Sequence, residues 1–234
     1  MNGSMSEHQK KTWTDIKGIC ARHPAFQDAS SWVKPLILDA PDWPDVVSIT
    51  RFAKELSPEF PWEFVRQEKV PRRARSRGSA SLSGYVEQIT LHKKIPVREQ
   101  DLHDLLNSLS FFMFPQSKMA LNARHLIEAP EGLKPGQNRT RTQDLLTILD
   151  EGGVIRLRNN QGQEKDLIFG HAIYEHILEG RELRAARLDF NVGDEIIGTP
   201  VRTLTELADH LLATWLSKPS NCRAATEFGH VWIR

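Results

Sequence analysis

The chain is poor in several features that would place a protein quickly. It has only two cysteines, Cys20 and Cys222. They form no CxxC pair and no disulfide framework, which excludes a disulfide-stapled scaffold and fits a reducing cytoplasm. No apolar run approaches the roughly 20 residues of a membrane span, and the opening residues do not read as a secretory signal. Charge is nearly balanced, with 31 Lys and Arg against 30 Asp and Glu for a net +1. The molecule as a whole is therefore no electrostatic binder of nucleic acid, and such a role would need a local patch. P-loop, GxGxxG, HExxH and GxSxG signatures are absent, and no internal repeat is visible. What remains is 234 residues of globular composition, 39% hydrophobic and 26% charged, long enough to bury a proper core. The expectation is a soluble, cytoplasmic protein without membrane contact, residues 1–234 forming a single domain.

One further absence is local. Between Asp104 and Pro115 there is no Lys, Arg or Glu. The stretch from Asp101 to His125 reads as two helices broken at Pro115. At about 100° per residue, Leu105, Leu106, Leu109, Phe112 and Met113 cover one side of the first helix. His103, Asn107 and Ser110 form a row on another, flanked by Phe111 and Phe114. On the second helix Lys118, Asn122 and His125 again fall on one line. Polar rows with aromatic neighbours and no long charged side chains point to a cleft or a buried contact rather than open solvent. Each residue also has a plainer reading. Asp101 is a good N-cap with Asp104 at N3. His103 and Asn107 can be core polar groups bonded to backbone, and Lys118 a solvated amine.

Along the rest of the chain, Trp13, Ile16, Ile19 and Cys20 predict a helix that stops at His23-Pro24. A Trp- and Pro-rich connection follows. Val46 to Leu56 predicts a second helix ending near Ser57-Pro58, and Phe60, Trp62 and Phe64 pin the next loop to the core. Residues 69–84, KVPRRARSRGSASLSG, read as a mobile basic loop. Arg72, Arg73, Arg75 and Arg77 also offer an anion- or nucleic-acid-binding arm, though aromatic interleaving is sparse. Residues 85–91 read as a strand. Residues 145–149 read as the first strand of a hairpin with 154–158, or as the close of a helix. Asn159 to Gly162 is a turn. Residues 169–180 read as a helix ended by glycine, 184–190 as a strand, and Thr203 to Glu206 as a capping box before a Leu-rich helix. The fold class expected is α+β, helix-dominated, with a small antiparallel sheet.

The chemistry these residues suggest rests on constellations rather than a single signature. His103-Asp104 is an HD pair, weak by itself. His125, His171, Glu175, Asp144 and Asp150 are further candidate ligands, and imidazole with carboxylate suits Zn, Fe, Mn or Ni. His171 and Glu175, at i and i+4, can meet at one ion or simply bond one another. Asp150-Glu151 also reads as an acidic turn.

The segment HDLLNSLSFFMFPQSKMALNARH resembles the core of an uncharacterised bacterial family, the domain of unknown function numbered 3025. The resemblance rests on His103, Asp104, Asn107, Phe114, Pro115, Lys118, Leu121, Asn122 and His125. It extends to Tyr85, Glu87, Ile89 and Pro96-Val97-Arg98 before them. After them it takes in Asp144, Thr147, Asp150-Glu151, Gly153, Gly170-His171-Ala172 and Glu175. Gln143 and Val97 depart from the family pattern. The resemblance implies no activity, but it makes the polar rows more credible as a site.

Two functions fit. The first is a hydrolase acting on a phosphorylated or other anionic substrate. His103 or His171 is its acid/base, oriented by Glu175 or Asp144, Lys118 stabilises negative charge, and Asn107, Asn122, His125 and Asp144 hold the substrate. A divalent metal is compatible with this but not required by it. The second is a non-enzymatic module in which the same cleft holds a small ligand, or the basic segment meets nucleic acid.

Overall fold

The computed structural model describes residues 11–67, 82–128, 139–193 and 196–233. Arg72, Arg73, Arg75 and Arg77 lie outside these residues. Of the segment read as a loop, the described end, from residue 82, is helical.

The N-terminal part is built of short helices. Thr12 and Asp15 close a capping box on α1 (Trp13–Cys20). α2 (Pro24–Asp28) follows a His23 cap, and α3 (Ser30–Val33) runs into a π-helical turn, Lys34–Leu38. The Trp- and Pro-rich connection is thus partly helical. Pro24 and Pro35 sit in first turns, where the missing N–H has no partner to lose. Phe26, Trp32, Leu36 and Ile37 turn inward. α4 (Val46–Leu56), capped by Asp45, stops at Ser57 as its pattern predicts.

β1 (Glu63–Arg66) pairs in parallel with β2 (Lys94–Val97), and α5 (Leu82–Thr90) connects to β2. This corrects the strand expected at 85–91. Val86 and Ile89 are both buried, three residues apart on one helical face. Burial of that face decides the conformation over the β-propensity of its residues.

α6 (Leu102–Met113) and α7 (Pro115–Ile127) break at Pro115, as read. α8 (Arg141–Gly152) starts on a Thr140–Gln143 capping box, so residues 145–149 are helix. Leu145, Leu146 and Leu149 are buried at helical spacing, and the turn expected at 150–153 is instead the end of α8 running directly into the next strand at Gly153.

β3 (Gly153–Asn159) and β4 (Glu164–Ile168) form a hairpin. α9 (His171–Glu179) ends on left-handed Gly180, φ 70°. β5 (Leu183–Val192), α10 (Val201–Leu216) and β6 (Gly229–Ile233) complete the chain. α10 begins two residues before the expected box at Thr203, behind Pro200, and buries Leu204, Ala208 and Leu212 as its stripe predicts.

The architecture is α+β and helix-dominated. The larger sheet has the order β4-β3-β5-β6 and is mixed, because β3 and β5 run parallel across the α9 crossover. Every residue of α6 from Leu105 to Met113 is buried. α3, α4, α7, α9 and α10 pack around it, which makes α6 the axis of the core.

Candidate functional site

Two polar corners of the core bring the site together. At one, Ser110 Oγ on α6 donates to the Phe169 carbonyl at 2.8 Å, while the N–H groups of Phe169 and Gly170 donate to the Gly153 carbonyl at 3.0 and 2.8 Å. A Cβ at Gly170 would lie 2.5 Å from the Glu151 carbonyl oxygen and also meet the Gly153 nitrogen. Only glycine lets α9 start this close to the end of α8, and that contact sets His171 beside Glu151. At the other corner, buried Asp209 of α10 accepts from the N–H groups of Gln116 (3.0 Å) and Ser117 (2.7 Å). It satisfies two orphan donors at the start of α7, the helix that carries Lys118, Asn122 and His125. Burial pushes the Asp209 carboxyl up despite these bonds.

His103 on α6 meets α9 twice. Its Nδ1 lies 3.3 Å from Glu175 Oε2, and its Nε2 lies 3.2 Å from His171 Nε2. His171 Nε2 is also 3.4 Å from Glu151 Oε2. His171 is 2% exposed. Burial, then the charge of Lys118, push it down to about 3, so its imidazole is neutral at physiological pH. Burial pushes the Glu151 carboxyl up, opposed by His103.

Beneath this group lies a second one. Lys118 Nζ donates to Asn107 Oδ1 at 2.8 Å and to Asp150 Oδ1 at 2.5 Å, over the rings of Phe111 and Phe169. Asn107 Nδ2 donates in turn to Tyr85 Oη at 2.8 Å. Burial alone would raise the Asp150 carboxyl, but Lys118 and His171 outweigh it and hold it below its ordinary value.

A cavity of about 260 Å³ opens on these residues. His103, Glu151, His171, Asn122, His125 and Arg139 are among the residues that line it. His125 is 4% exposed, and among the described residues its Nδ1 has no hydrogen-bond partner. Burial pushes it down to about 4. Arg98, also on the wall, is held by Asp104 through both guanidinium and backbone nitrogens. Asp104 therefore serves Arg98 and does not pair with His103 as an HD ligand set.

Of the residues singled out in sequence, His103, His171 and Glu175 come together, and Asn107, Asn122 and His125 join the same cavity wall. Lys118 does not face the cavity; its amine is enclosed by Asp150 and Asn107. Asp144 stands on the exposed face of α8, away from the cavity lining, because the helical turn that buries Leu145 and Leu149 points it outward. Glu151, Tyr85 and Arg139 are the residues that reading for a site passed over, while Asp150, read as a candidate ligand, pairs with Lys118. The DE pair and Tyr85 carried a signal in the family-like motif; Arg139 carried none.

The two departures from the family pattern have structural work. Gln143 caps α8 and donates to the His125 carbonyl at 3.0 Å, and Val97 is buried in β2. Among the described residues no helix is long and apolar enough to cross a membrane. No curated protein and no solved structure matches the chain. Residues 62–167 match the family described as "Protein of unknown function (DUF3025)", a span that takes in His103, Lys118 and Glu151 and stops short of His171. The match bears out, over that segment, the family resemblance read from the sequence.

Proposed function

We propose that this cavity is the active site of a hydrolase acting on a small phosphorylated or otherwise anionic substrate. The observation that carries the reading is the meeting of His103, His171 and Glu151 at the cavity wall, with Glu175 behind His103. With its Nδ1–H directed to Glu175, His103 presents an Nε2 lone pair, the tautomer a general base needs. It takes a proton from water as the water oxygen bonds to the phosphorus or carbonyl centre. The bond to the leaving oxygen then breaks, and that oxygen recovers the proton.

Arg139 is the cation for the substrate's charge. It is exposed at the cavity, and among the described residues its guanidinium meets only Thr147 Oγ1, at 3.4 Å. Lys118 is occupied by Asp150, so it shapes the floor instead. Asn122 and His125 are the polar contacts for the body of the substrate. Both cysteines are buried and unpaired, which supports a cytoplasmic setting.

The test is turnover of p-nitrophenyl phosphate, its bis-ester and a panel of phosphomonoesters, in buffer containing divalent cations. Wild-type hydrolysis should fall about 100-fold or more in His103→Ala and about 10-fold in Glu175→Gln. Binding of these compounds without turnover would leave a ligand-binding module. Neither binding nor turnover would end the proposal.

A further inference from the structure

We propose that His103 Nε2, His171 Nε2 and the Glu151 carboxylate are the ligands of one divalent transition-metal ion. This rests on the reading of the same cavity and changes one role in it: with an ion bound, the His103 Nε2 lone pair would be a ligand and the ion would supply the activation of water; its test is metal binding and does not depend on hydrolysis. The ligand atoms of the three residues all lie within 4.8 Å of one another. Two edges of the triangle are 3.2 Å, between the imidazole nitrogens, and 3.4 Å, from His171 Nε2 to Glu151 Oε2. Nitrogen and oxygen ligands about 2.0–2.2 Å from a tetrahedral ion stand roughly 3.3–3.6 Å apart. Two edges already have about that length, and the third closes by turning a carboxylate whose side chain is 42% exposed.

Hydrogen bonding alone does not account for the arrangement. If His103 Nδ1–H serves Glu175, a neutral His103 offers His171 a lone pair at Nε2. His171 Nε2 then has one proton and two acceptors, His103 Nε2 and Glu151 Oε2. If His103 is instead protonated on both nitrogens, it donates to His171 Nε2, whose lone pair then leaves Glu151 facing no donor. Each of these assignments leaves one of the three atoms sharing a proton or facing none, whereas a cation between them meets all three lone pairs.

The surroundings have the form of a metal centre. Glu175 on the far nitrogen of His103 is the carboxylate–histidine arrangement that orients ligating imidazoles. Asp150, the adjacent carboxylate, is kept out of the set by Lys118. The cavity adjoins all three ligands and leaves room for a water or substrate oxygen at a further position. Two imidazoles and a carboxylate suit Zn, Fe, Mn or Co.

The experiment uses the full chain without a histidine tag, stripped with chelator. Zn²⁺ is titrated by calorimetry and Co²⁺ by visible absorption. The expected result is one ion per chain with Kd about micromolar or tighter, and Co²⁺ bands of a four- or five-coordinate site. Glu151→Gln and His103→Ala should weaken binding at least 100-fold, and Glu175→Gln about 10–100-fold. His171 is buried, so the ligand test rests on the two more exposed residues, with circular dichroism to verify their folding. Binding no tighter than millimolar in the wild type overturns the proposal. So does an affinity unchanged in folded Glu151→Gln and His103→Ala. A bound ion without hydrolysis would remove the hydrolase and keep the centre; hydrolysis by protein that binds no ion would keep the hydrolase and remove the centre.

Discussion

Replacing Asp150 by asparagine leaves the Lys118 ammonium without its counterion in a place that water does not reach. The lysine side chain is 1% exposed, walled by Phe111 and Phe169, and is left with the neutral amide oxygens of Asn107 and of the substituted asparagine in place of a carboxylate. An uncompensated buried charge of this kind costs about 3–5 kcal/mol. The reverse change, Lys118→Met, fills the same space with no charge. It leaves Asp150, whose side chain is 23% exposed, able to recruit water from the cavity. Its cost should be nearer that of an unsatisfied polar group, about 1–3 kcal/mol. The double variant should lie close to Lys118→Met, because the asparagine no longer strands anything, giving a coupling energy of about 3–5 kcal/mol in magnitude. Urea melts at pH 7 measure all three. For a chain of this size each kcal/mol is worth roughly 2–4 °C in Tm, so Asp150→Asn should melt roughly 6–20 °C below wild type. Equal losses in the two single variants, or strictly additive losses in the double, would refute the account of Lys118 as a buried cation held by one carboxylate.

The two asparagines of the polar rows separate. Asn107 joins Lys118 to Tyr85, so Asn107→Leu strands both and should cost about 1–3 kcal/mol in a denaturant melt. Among the described residues Asn122 Nδ2 donates only to the Lys118 carbonyl of its own helix, so Asn122→Leu should be within about 1 kcal/mol of wild type; a larger loss would show a role in the fold that its bonds do not account for. Asp209→Ala removes the acceptor for the first N–H groups of α7 and should cost about 1–3 kcal/mol; an unchanged melt would mean that water replaces it. His125 gives a pH signature, its folded-state value lying near 4 against an ordinary 6.5. Burial is the main cause, opposed by Asp150 and aided by Arg139 and Lys118. Below pH 6.5 the unfolded chain takes up a proton that the folded chain refuses, so stability falls as pH drops from 6.5 toward 4 and is unaffected above. This contribution should be about 2 kcal/mol between pH 7.5 and pH 5. His125→Leu should lose that part of the slope, and an identical pH profile would refute the assignment.

Much of the local structure was decided by the chain on its own. Asp101, Pro115 and the leucine spacing dictate α6 and α7, since caps, a proline at N1 and apolar periodicity act within one or two turns. Gly180 and the Leu204–Ala208–Leu212 stripe are legible for the same reason. The polar rows on α6 and α7 were visible as rows, because helical spacing alone puts His103 with Asn107 and Lys118 with Asn122 on shared faces. What each row faces was not visible. Residues 85–91 have the composition of a strand and are helical because Val86 and Ile89 find burial on one helical face. Asp150-Glu151 reads as an acidic turn until α8 and the Gly170 contact direct one carboxylate to Lys118 and the other to His171. Lys118 and Asp150 are 32 residues apart, and His103 and His171 are 68 apart. Contacts at such separations leave no periodicity in the sequence; packing around α6 decides them, by bringing three helix ends to one corner of the core.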